Sequence, residues 1–263
     1  MKKFTIQAWL TYKALLYWYS LYALTGDFLN VFGRPAIQVI IFALLGKFAM
    51  GKQGAQILAL GFSVQLMQGT LISGLNNSYS SEIWDKTLSF LYISPVNRFV
   101  NFISRSVFHF PAALLSLIAG LFTAWVIVGM NLGMVNWLGF ITSILIIAAA
   151  ITGFAQMLGV YALAFRENQS VLGLAGGLLG LMTGCIIPIS VFPAPIQELA
   201  KLLPITNGLF AVKATFTGAP LSDVYGYLFR EAATGVVYLL IAFGVFLYIE
   251  QWSKRTGALD VTA

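Results

Sequence analysis

Charge is what this sequence has least of. Only 9% of its 263 residues are Asp, Glu, Lys or Arg, while 59% are hydrophobic. Soluble domains carry about 25% charged residues, so a water-soluble globular domain is excluded and the composition points to an integral membrane protein. Cysteine is nearly absent too. Cys185 is alone, which rules out an internal disulfide, and its apolar run makes it a small buried hydrophobe. The single histidine, His109, has no acid or Cys at metal-ligand spacing and reads as a packed residue rather than a ligand. No G-x-x-x-x-G-K-[ST] loop occurs, so ATP is not held that way. There is no Ser/His/Asp set and no pair of acids inside an apolar run. Ion-coupled carriers place ionisable groups at mid-membrane, and that signature is missing. Fifteen basic residues face nine acidic ones, but they form no cluster. They flank apolar runs as topology signals and give no footing for nucleic acid. The apolar stretch after Lys2 and Lys3 is broken by Gln7, Thr11 and Lys13, which argues against a cleavable signal.

What is present is a series of charge-free runs, at 53–81, 106–165, 168–197 and 232–249. A span needs roughly 20 mostly apolar residues. The long second run divides at GMNLGMVNW, where Asn131 and Asn136 stand among glycines as turn residues. A weaker span near 29–50 keeps Arg34 and Lys47 close to its ends, where long side chains snorkel. The expectation is an all-α membrane protein of six spans, at about 29–50, 55–79, 104–129, 136–164, 171–190 and 231–250. Residues 1–26 form a separate unit. Trp9, Tyr12, Tyr17, Trp18, Tyr19 and Tyr22 crowd a stretch too short to cross, which predicts a helix over 3–24 lying in the interface. The span domain covers 27–251, and 252–263 is a tail. Placing both termini in the cytoplasm leaves only Lys47, Lys52, Lys201, Lys213 and Arg230 outside and the other ten bases inside, which favours that orientation.

One insert breaks the apolar pattern. EIWDKTLSFLYISPVNR, from Glu82 to Arg98, holds both signs of charge between spans two and three. Ile83, Trp84, Leu88, Leu91 and Tyr92 recur at helical spacing, with Glu82, Asp85, Lys86 and Ser89 toward another face. Pro95 pushes Ser94 out of the helical region. The spacing predicts a short amphipathic helix at about 80–95, either an ordinary interfacial helix or a docking element. A second unusual segment, about 188–217, carries four of the eight prolines, with Pro220 just beyond it, and few charges. It reads as two short broken helices on the outer side, which either cap the spans or re-enter the membrane under cover of protein. Gly173, Gly176, Gly177, Gly180 and Gly184 make a close-packing face for a neighbouring span or a second copy.

Taken together these features resemble the membrane subunit of type-2 ABC exporters, the daunorubicin and polysaccharide exporter permeases. Two motifs carry the resemblance over nearly the whole chain. The family's inner motif, E-R-x-x-G-T-L-x-x-L-x-x-[ST]-P-V-x-R, is matched by Glu82, Thr87, Leu88, Leu91, Ser94, Pro95, Val96 and Arg98. Ile83 and Lys86 stand where the family often has Arg and Gly. The outer motif is matched by Gly184, Pro188, Phe192 and Pro193, then by Leu202, Pro204, Ile205 and Thr206. The resemblance implies that Glu82, Ile83, Asp85, Lys86, Thr87, Leu88, Leu91, Pro95 and Arg98 belong to a coupling helix seated in a separate ATPase subunit. It implies two ATPase copies that use ATP and Mg, a second permease copy (identical or related), and no cofactor on this chain. Pro188, Phe192, Pro193, Leu199 and Pro204 are the expected outer gate. A multi-pass protein of a prokaryotic cell membrane follows, in contact with lipid and with no nucleic-acid partner. The scarcity of charge in the spans favours an amphipathic or lipid-like cargo: a drug, an antimicrobial peptide or a lipid-linked glycan. An ion-coupled carrier or channel, or a membrane enzyme acting on lipid, are the alternatives. The first lacks mid-span charges and the second lacks paired catalytic groups.

Overall fold

A computed structural model of the chain describes residues 32–84, 98–164 and 169–256. They form seven α-helices: α1 (Arg34–Trp84), α2 (Arg98–Val128), α3 (Trp137–Ala164), α4 (Gln169–Met182), α5 (Ala194–Lys201), α6 (Thr206–Phe216) and α7 (Leu221–Thr256). No strand occurs among the described residues. The expected interfacial helix at 3–24 and the last residues of the tail lie outside them.

α1 is two helices joined by a reversal. Helical dihedrals break at Met50 (φ −137°, ψ 16°) and Gly51 (φ 66°, ψ −154°). Glycine enters that left-handed region without steric cost. Beyond it the chain doubles back. The rings of Phe42 and Phe62 stack with centroids 4.0 Å apart, whereas the rise of an unbroken helix would hold them about 30 Å apart. The arms touch through backbone, because a Cβ added at Gly46 would collide with the Gly54 carbonyl. Gly46→Ala is therefore expected to destabilise by about 1–3 kcal/mol, the usual cost of overpacking. Gly69→Ala, where an added Cβ meets nothing within 4 Å, should leave stability unchanged or raised. Thermal unfolding in detergent solution separates the two.

The second arm of α1 runs antiparallel to α2. Their side chains meet at Ser78 and His109 (2.7 Å) and again at Thr70 and Ser116 (3.0 Å). α3 and α7 lie side by side in the same direction. Gly235 is backed by the Ala150 backbone, and Phe154 meets Tyr238 edge-to-face at 5.0 Å. One apolar core, with Met67, Leu71, Ile147, Ile151, Leu179, Ile205 and Leu209, joins α1, α3, α4 and α6. Four helices contain stretches long and apolar enough to cross a membrane: Arg34–Ser80, His109–Val128, Trp137–Tyr161 and Leu221–Gln251. Large side chains such as Ile118, Phe122, Leu138 and Leu240 remain exposed on their outer faces, as lipid contact allows and water does not.

Boundaries differ from the sequence expectation at several ends: α1 runs on to Trp84, through the start of the helix expected at 80–95, and α2 opens at Arg98 rather than near 104. The helix expected over 171–190 stops at Met182, because Gly184 adopts φ 86° and Pro188 cannot continue a helical ladder. At 14 residues, α4 is about 21 Å long. The last helix begins at Leu221 rather than near 231 and runs on to Thr256. Asn136 explains the tight packing of the turns. It precedes α3, accepts from Gly139 N (3.3 Å), donates through Nδ2 to Ala219 O (2.9 Å), and its own N–H bonds Thr215 O (2.9 Å). The α2–α3 turn is thus clipped to the α6–α7 turn.

Candidate functional site

The inner motif falls where two packed helices end together. Glu82 and Ile83 lie in the last turn of α1, and Arg98 opens α2. Asp85, Lys86, Thr87, Leu88, Leu91 and Pro95 lie outside the described residues. Because α1's second arm and α2 are antiparallel neighbours, residues 85–97 bridge two adjacent helix ends at one pole of the bundle. Just beneath, a fully buried polar set joins three helices. The Tyr79 hydroxyl donates to Gln156 Oε1, and Gln156 Nε2 donates to Ser106 Oγ. Movement of the α1–α2 end is thereby shared with α3.

Between the arms of α1 and α2 lies a polar cavity of about 400 Å³. Arg34, Gln38, Gln65, Thr70, Ser73 and Ser116 supply its polar lining. Gln65 Nε2 reaches the Gly176 carbonyl of α4 at 3.4 Å, while its Oε1 is buried with no partner. Beside it, both amide atoms of Gln68 are buried without partners. Unpaired amides in an apolar body are costly, and they suit a place where a polar group of a passing molecule supplies the missing bonds.

The opposite pole is covered by α5 and α6. Pro193 precedes α5, and the Phe192 carbonyl accepts from Gln197 Nε2 at 2.8 Å. Pro188, Pro193 and Leu199 are exposed, Phe192 is half-buried and Pro204 is buried. α6 packs against both α3 and α7. Its anchor is Glu231, which sequence position assigns to the edge of the last span. The Glu231 side chain is completely buried. Oε1 accepts from Ile205 N at 2.5 Å and Oε2 from Gly208 N at 2.9 Å. Ile205 sits at φ 85°, an uncommon conformation for a β-branched residue, held in place by that carboxylate. The carboxyl oxygens satisfy amide groups that a helix start leaves open. One signal was present in the sequence, an acid beside Arg230 at the edge of the long apolar run 232–249.

The glycine face of α4 is largely open. A Cβ at Gly173, Gly176 or Gly177 meets nothing within 4 Å among the described residues, whereas Gly180 abuts Gln65. The described spans therefore leave most of that face uncovered.

The sequence matches the model of the ABC-2 type transporter family over residues 14–217, well over half the chain. No curated protein matches it.

Proposed function

Because the chain belongs to the ABC-2 type transporter family, we propose that it is the permease subunit of an ATP-driven exporter that works with a separate ATPase. The family match over 14–217 carries this reading. The connector between the ends of α1 and α2 fits a docking role. It is continuous in sequence with the ends of two packed helices, so a push on it acts on both. In this reading Glu82, Ile83, Asp85, Lys86, Thr87, Leu88, Leu91, Pro95 and Arg98 form the coupling element. The ATPase holds ATP and Mg, and two permease copies meet two ATPases. The open glycine face of α4 is available to the second copy.

Six crossings result if both arms of α1, then α2, α3, α4 with its following turn, and α7 each traverse the bilayer of a prokaryotic cell. The termini are then cytoplasmic, and α5 and α6 re-enter from outside as the gate built on Pro188, Phe192, Pro193, Leu199 and Pro204. The polar cavity with Arg34, Gln38 and Gln65 lies on the path, and its mix of one cation with neutral polar and apolar groups favours an amphipathic cargo over an ion. Single cysteines test the orientation. In a Cys185→Ala background, Glu198→Cys is expected to react with a membrane-impermeant thiol reagent on intact cells. Thr87→Cys and Gly257→Cys are expected to stay unlabelled until the cells are opened. Labelling of position 87 or 257 from outside overturns this topology.

A further inference from the structure

A second cavity, of about 220 Å³, lies between the turn after α4 and helices α5 and α6. Its polar lining is Thr183, Ser190, Gln197, Lys201, Thr206 and Lys213. The two cations differ in their pairing. Lys201 bonds Glu198 at 2.6 Å on the exposed side of α5. Lys213 is half-buried and forms no ion pair among the described residues; its Nζ donates to the Gly184 carbonyl at 2.9 Å. An ammonium has three donors, so two point elsewhere. The Thr206 side chain is completely buried, and its hydroxyl has no hydrogen-bond partner. Lys213 also borders a cavity with Gln56 and Thr217, but only in the smaller one does it meet the unpartnered Thr206 hydroxyl, and a half-buried cation and a buried hydroxyl there are each expensive unless something fills it. The nearest acid beyond Glu198 is Glu231, whose oxygens are engaged by the amides of Ile205 and Gly208; it does not line this cavity.

We propose that this cavity binds a phosphate-type oxyanion, held by the Lys213 ammonium and the Thr206 hydroxyl with Lys201 at the rim. The volume admits a tetrahedral oxyanion and a few waters, each water taking about 30 Å³. The charge-assisted bond to Lys213 supplies most of the attraction. The oxyanion comes either from the headgroup of an anionic lipid or from free phosphate, and the two sources separate by experiment. The site does not depend on the transport reading, so its failure leaves that reading untouched.

The full chain is purified in zwitterionic detergent and incubated with phosphatidylglycerol or phosphatidylcholine, and retained lipid is counted by native mass spectrometry. Inorganic phosphate binding is followed in parallel by ³¹P line broadening. If a lipid is the source, phosphatidylglycerol is retained about tenfold over phosphatidylcholine, and Lys213→Gln removes that preference, as loss of one charge-assisted bond predicts. Thr206→Val, close in shape, lowers retention about threefold for the lost hydroxyl bond, and Lys213→Arg keeps it. If free phosphate is the source, broadening occurs without lipid preference and disappears in Lys213→Gln. Should Lys213→Gln not fold, Thr206→Val decides alone. Oxyanion binding that is absent, or equal in wild type and both variants, overturns the proposal.

Discussion

Leu88→Asp is expected to abolish capture of the ATPase subunit while the permease still inserts and purifies normally. The expectation rests on position and pattern. Leu88 belongs to the apolar set Ile83, Trp84, Leu88, Leu91 and Tyr92 within the segment that bridges α1 and α2. A carboxylate there would have to be desolvated in the partner's groove. Loss of a buried interface anchor costs about 2 kcal/mol or more, and the added charge raises that, so affinity should fall at least about 30-fold. Charge reversal at Glu82 or Asp85 should act more weakly, because rim charges chiefly tune association. Copurification of the tagged permease with a coexpressed ABC ATPase subunit is the measurement. Undiminished capture by Leu88→Asp would remove the coupling role from this segment.

Glu231→Ala should unseat α6 from the last helix. The change leaves the Ile205 and Gly208 amides buried without acceptors, and each orphaned amide costs about 1–3 kcal/mol. It also releases Ile205 from its positive φ. Glu231→Gln keeps one acceptor oxygen but turns its NH₂ toward an amide donor, so roughly half the loss is expected. The predicted order of thermal stability is wild type, then Gln, then Ala, with cargo export following the same order. ATPase capture should be unchanged, because the docking segment lies at the other pole. Equal stability of all three proteins would show that the carboxylate does not hold the outer helices.

Why Glu231 escaped the sequence reading is instructive. Its partners, Ile205 and Gly208, lie 26 and 23 positions away, and only the fold-back of α6 onto α7 brings them together. Local patterns served well where the determinant was local. Asn131 and Asn136 marked the α2–α3 turn, and the prolines at 188, 193 and 204 marked the broken helices between α4 and α7. The charges at Lys47 and Lys52 bracketed the reversal that Gly51 makes. Charge counting, by contrast, is blind to neutral polar groups. Gln65, Gln68 and Gln156 passed as filler in charge-free runs, yet Gln65 lines the polar cavity, Gln68 is buried without partners, and Gln156 ties α1, α2 and α3 together. Helix length was likewise hidden, since composition does not reveal that Gly184 turns the chain early.

The reversal at Met50 and Gly51 bears on how the protein is made. The described part of its first arm, residues 34–49, carries a base near each end, Arg34 and Lys47, which weakens it as a spanning segment. Such a segment is a poor solitary passenger for the insertion machinery. Its neighbour follows after only two non-helical residues, and the aromatic stack and the glycine contact join the arms to each other. Both arms are therefore expected to partition into lipid together, as one hairpin. Lengthening that turn would strand the first arm at the interface even though every residue of both arms were unchanged.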